Sequence, residues 1–181
     1  MKKVVSTLLL AALVVSLTAC GGGEVKKVEN PGSASAEATA EKSESKTAKE
    51  DKVVFKSGET AELNGVKVTL AEVKESKGSE FVKPKDGHVF LLPTFEIENG
   101  SDKELNISSM MSFEAYVDGY ATNLDISALT EKDGEQLDGK VAPGKKMKGV
   151  VGYDVPADYK ELEIKFKADL LGKEITFKYT K

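Results

Sequence analysis

Arginine is absent: all 26 basic residues of this 181-residue chain are lysine, set against 30 carboxylates. The guanidinium fork that grips phosphates and base edges at two points is therefore missing, and a formal charge of −4 adds to the case against a nucleic-acid partner. Tryptophan is absent too. Cysteine occurs once, at Cys20, so no disulfide can form within the chain and the fold must rest on its own core. Histidine occurs once, at His88, beside Gly87 at the mouth of a predicted strand. A Ser-His-Asp triad would have to use it, and a histidine zinc site needs several such ligands. Carboxylates are plentiful, yet no spacing singles out a pair for acid–base work. These absences predict a protein that is not an enzyme, with no cofactor, no catalytic residue and no metal site.

What is present begins at the N-terminus. Lys2 and Lys3 precede an apolar run from Val4 to Leu17, interrupted only by Ser6, Thr7 and Ser16. At about 14 residues the run suits the hydrophobic part of a signal peptide and falls short of the ~20 that a bilayer span needs. Leu17-Thr18-Ala19-Cys20 resembles the lipobox of bacterial lipoproteins. By that resemblance the chain is cut between Ala19 and Cys20, and Cys20 carries a diacylglycerol thioether, often with an N-acyl chain such as palmitate. Two or three acyl chains, at about 0.8 kcal/mol per buried methylene, hold a protein stably on a membrane. The competing readings are an uncleaved anchor and an ordinary secretory signal that leaves Cys20 a free thiol. Removing Lys2 and Lys3 takes the formal charge from −4 to −6.

The signal peptide is assigned to 1–19. The lipidated cysteine and a tether rich in Ser, Ala, Glu and Lys occupy 20–50, and one folded domain follows over 51–181. Residues 21–50 hold no aromatic residue, leucine or isoleucine, so they bury too little apolar area to offset the entropy of ordering them. As a flexible coil the tether spans on the order of 30 Å, and about 100 Å fully stretched.

From residue 51 short alternating runs are separated by turn residues. Val53-Val54-Phe55 is a first strand, Asn64-Gly65 marks a hairpin, and Val66, Val68 and Leu70 alternate with Lys67 and Thr69. HVFLLPTFEIEN is the most hydrophobic strand, and its Pro93 removes a backbone donor. Either a bulge near Pro93-Thr94 puts Phe90, Leu92, Phe95 and Ile97 on one face, or an unbroken strand turns Val89, Leu91, Phe95 and Ile97 inward. Phe113, Ala115 and Val117, then Met147 to Val155, then Leu162, Ile164 and Phe166, then Ile175, Phe177 and Tyr179 repeat the alternation. Between them ATNLDISALTEKDGEQLDGK reads as a long polar loop with one helical turn. Seven to eight such strands predict an all-β fold, an immunoglobulin-like antiparallel β-sandwich.

NGVKVTLAEV, FLLPTFEIENGSDKEL with its Glu-Asn turn, FEAYVDGY and APGKKMKGVVGYDVPADYKELEIKF together carry a family resemblance. Over residues 58 to 180 the chain resembles a family of lipoproteins, common in Gram-positive bacteria, whose domain has unknown function. The family shares an immunoglobulin-like sandwich related to a secreted mycobacterial immunoprotective antigen. The resemblance implies a fold and an address on the outer face of the cell membrane, but no catalytic residues to carry over.

Candidate contact residues are Tyr116, Asp118 and Tyr120 on FEAYVDGY, with Asp125, Asp133 and Asp138 from the acidic loop 125–138. That loop has the oxygen donors for Ca²⁺ without the spacing of an EF-hand. Lys145, Lys146 and Lys148 are a candidate for anionic polymer or lipid. The expectation is a lipid-anchored module that meets a protein, peptide or envelope polymer. The alternative is a lipoprotein that captures a small solute or metal for a transporter.

Overall fold

The computed structural model describes residues 25–28, 53–130, 136–168 and 172–181. Thirteen strands and one helical turn follow in order: β1 Lys26–Val28, β2 Val54–Lys56, β3 Thr60–Leu63, β4 Val66–Ser76, β5 His88–Asn99, β6 Leu105–Ile107, β7 Phe113–Val117, β8 Tyr120–Thr122, α1 Ile126–Leu129, β9 Gly139–Val141, β10 Lys146–Val150, β11 Tyr153–Pro156, β12 Glu161–Lys167 and β13 Glu174–Thr180. One sheet is ordered β1-β3-β4-β5-β10, with β11 also on β5, and it faces a second ordered β2-β13-β12-β7-β8; β6 and β9 form a separate pair. All pairs of named strands are antiparallel except β2 with β13. The predicted immunoglobulin-like β-sandwich is the fold.

Alternation builds it. The longer strands turn every second residue into the space between the sheets, where Phe95 packs on Phe113 and Phe177 at centroid distances of 5.0 and 5.5 Å. Phe166 and Phe55 extend the cluster at 5.2 and 5.8 Å. Each such ring, fully buried, contributes roughly 1.5–3 kcal/mol through the area removed from water. Asn64 and Gly65, and again Asp118 and Gly119, take positive φ at both central positions, the turn whose twist matches two antiparallel strands.

β5 resolves the question raised by Pro93. Val89, Leu91, Phe95 and Ile97 face the main core along an unbroken strand, and the bulge lies on the partner strand β4, between Leu70 and Glu72. Pro93 accepts from Val151 N at 3.1 Å but has no N–H to return, and there the neighbouring edge divides into β10 and β11. Phe90 and Leu92 face outward and form a second small core with Ala128 and Val150, roofed by Val82 and Leu129. Gly152 permits this roof: a Cβ there would lie 2.9 Å from the Ala128 methyl.

The rest of that outer face is charged. Lys26, Glu62, Lys67, Glu98 and Lys146 sit side by side across five strands, alternating in sign. Such cross-strand pairs suit a wet sheet face.

The tether assignment needs a correction at β1, which lies inside 20–50. Lys26–Val28 pairs with β3, Lys27 bonds Glu59, and Val25 packs on the main core. Three residues are too few to form a strand alone; the unpaired edge of β3 supplies the partner. The remainder of 29–52 lies outside the described residues.

Candidate functional site

The strands deliver their loops to two ends. At the His88 end the β4–β5 loop, the β7–β8 turn and the β11–β12 loop are tied together: Ala157 N donates to Gly87 O at 2.9 Å, and Lys160 N and Glu161 N donate to the Asp118 carboxylate at 3.0 and 2.8 Å. His88 Nδ1 lies 2.5 Å from Asp154 Oδ1, and the second oxygen of Asp154 accepts from Lys85 N at 3.1 Å. His88 is thus a half-buried histidine fixed to one carboxylate at the start of an interior strand. Glu75 accepts from the Tyr159 hydroxyl at 2.7 Å, and Lys181 Nζ bonds the same carboxylate while standing 4.7 Å from the Tyr159 ring centroid. The Tyr159 bond, reinforced by Lys181, holds the Glu75 carboxyl below its ordinary range; burial and then Glu75 push the Tyr159 phenol upward. Two aromatic rings at this end find no cover: Phe81 is 90% exposed and Tyr120 80%.

The Asn99 end is organised by one buried amide. Asn99 donates to Lys103 O and Val141 O, both at 2.7 Å, and accepts from Ser101 N and Oγ at 3.0 and 2.7 Å. Its backbone N donates to Lys145 O and its carbonyl accepts from Gly144 N. Beside it opens a cleft of about 660 Å³, floored by Leu63, Val66, Leu105 and Ile107 and bordered by Met111, Lys103 and Lys173. Met110 and Met111 are 69% and 58% exposed.

The structure places the sequence-derived candidates in different settings. Tyr116, Asp118 and Tyr120 share the β7–β8 hairpin. Tyr116 is half-buried, with Lys165 Nζ 4.9 Å from its ring centroid, and Asp118 serves the backbone of the β11–β12 loop. Asp125 caps α1 by accepting from Ser127 N at 2.8 Å. Asp138 accepts from Ser109 N and Oγ at 3.0 and 2.8 Å. The two loop carboxylates therefore serve separate donors, and among the described residues no group of three or more His, Cys, Asp or Glu is placed to hold a metal. Asp133, Ala19 and Cys20 lie outside the described residues. Lys146 and Lys148 pair with Glu98 and Glu96 at 2.9 and 2.7 Å, which removes two cations from the proposed anion surface.

Sequence reasoning passed over Phe81 and the two methionines. Phe81 did leave a signal: an aromatic residue inside the polar loop KGSEFVKPKDG, with no strand alternation to bury it. Met110-Met111 sit in a run of serines in the same way.

Residues 55–176 match the family profile described as a domain of unknown function, DUF4352. Among solved structures, a protein described as a candidate lipoprotein (ycdA) from Bacillus subtilis superposes with a TM-score of 0.54 at 20% identity, over 65% of this chain and 37% of that one. The chain thus spans well under half the length of that protein. The yjhA protein from Bacillus subtilis superposes with a TM-score of 0.53 at 18% identity, over 68% of this chain and 98% of that one. An uncharacterized β-sandwich protein from Clostridium difficile gives 0.48 at 19%, over 75% and 100%. At these identities the likeness is one of fold. No curated protein matches the chain.

Proposed function

The chain belongs to the DUF4352 family, and from that premise we propose that it is a membrane-anchored extracytoplasmic lipoprotein whose sandwich is a binding module with its contact surface at the His88 end. The observation that carries the binding role is the pair of uncovered rings, Phe81 and Tyr120. Aromatic side chains bring large contact area at little conformational cost, and they anchor protein and peptide contacts or stack on an envelope polymer. The anchor is supported by Leu17-Thr18-Ala19-Cys20. Kinship with the secreted mycobacterial antigen belongs to the same reading, which includes no catalytic step.

Envelope crosslinking of the wild-type chain against a Phe81→Ala/Tyr120→Ala variant tests it. The expected result is a crosslinked species that the double variant loses while remaining folded and membrane-bound; identical crosslinking in both would overturn the contact surface. Mass spectrometry checks the anchor, with diacylglycerol on Cys20 expected. The cleft at the Asn99 end favours a second reading, capture of a small solute for a transporter. A ligand-induced thermal shift that disappears on filling the cleft with Ile107→Trp would favour it over the first.

A further inference from the structure

β1 fixes how far the sandwich can stand from Cys20. It pairs antiparallel with β3, Lys26 opposite Glu62 and Val28 opposite Thr60, so the chain leading into it arrives from the Asn99 end, beside the Asn64–Gly65 turn. From Cys20 to Lys26 are six Cα-to-Cα steps in the sequence. Fully stretched, these reach about 20 Å. A lipid on Cys20 therefore keeps the Asn99 end close to the bilayer, whatever the length of chain between β1 and β2.

That end has the chemistry for such a neighbour. Met110 and Met111 present uncovered, unbranched side chains that adapt to irregular apolar surroundings. Lys103, Lys145 and Lys173 make no ion pair among the described residues; of the exposed acids beside them, Glu104 is paired with Lys140 at 2.8 Å and Asp102 is the other. A mature chain with a formal charge of −6 is repelled as a whole by an anionic surface. Within a screening length of about 8 Å, only a locally basic end is drawn toward it.

We infer that the Asn99 end is a membrane-docking surface, on which the lipidated protein stands on the anionic headgroups of its own membrane. Lys103, Lys145 and Lys173 meet lipid phosphates, and Met110 and Met111 enter at headgroup depth. Phe81 and Tyr120, at the opposite end, then face away from the bilayer. The inference rests on the lipid-anchored reading above.

The test uses the mature lipoprotein on vesicles of phosphatidylglycerol and phosphatidylcholine. With Cys20 covered by lipid, Met111→Cys introduces the one thiol for an environment-sensitive fluorophore, Met110→Cys repeats it next door, and Phe81→Cys places the same probe at the other end. Headgroup-borne quenchers should extinguish the probe at 111 and leave the probe at 81 bright. The loss at 111 should shrink on pure phosphatidylcholine and in Lys103→Glu/Lys145→Glu/Lys173→Glu. Probes at 110 and 111 as bright as the one at 81, on vesicles that the chain floats with, would overturn the docking and leave the anchor standing. A chain that does not float, with unmodified Cys20 by mass spectrometry, would overturn the anchor and this inference with it.

Discussion

The two ends of the sandwich are closed by different chemistry. At the Asn99 end a neutral amide, wholly buried, makes four hydrogen bonds and joins β5, the turn after it and β9. At the His88 end carboxylates do the joining: Asp118 and Asp154 accept from backbone N–H groups, and Glu75 from Tyr159 and Lys181. A buried neutral hub is indifferent to pH and salt but leaves several orphaned groups if lost. The Glu75 carboxylate, held ionised by Tyr159 and Lys181, answers to acid. The end with more chemical give is also the end with the uncovered aromatics.

The largest effect is expected where the hub is removed. Asn99→Ala orphans two carbonyls and the Ser101 donors, and should cost about 3 kcal/mol in urea unfolding, nearly constant from pH 4 to 8. A loss that vanished at either pH would contradict the neutral-hub account. Glu75→Gln comes next. Because the Glu75 carboxyl is held below its ordinary value of 4.5, its contribution is complete above that value and is lost as pH falls through the lower folded value. Wild type should therefore lose stability over that acid window more steeply than Glu75→Gln, and parallel curves would remove Glu75 from the account. Smallest is Lys148→Ala, on the charged outer face with its Glu96 partner also exposed. A change within about 0.5 kcal/mol is expected.

Much of the fold could be read from alternation, because strands such as ELEIKFK bury one parity and wet the other. Tyr116, Asp118 and Tyr120 were legible as a group for the simple reason that they are neighbours on one hairpin. What alternation hides is anything made by a distant partner. Glu75 meets Tyr159 across 84 positions and Lys181 across 106. β1 is three residues whose strand character belongs to β3. The second core escaped because HVFLLPTF is apolar on both parities, so nothing in it announces that Phe90 and Leu92 serve a different roof.

The parallel pairing of β2 with β13 sets Val54 beside Thr176 and Lys56 beside Lys178. The chain enters β2 from the Asn99 end and leaves β13 at the His88 end. A pull from one end to the other slides these two strands along each other, so their hydrogen bonds carry the load together. A hairpin drawn from its open side parts its bonds one after another. In mechanical terms the seam that joins the first strand of the second sheet to the last is loaded in shear.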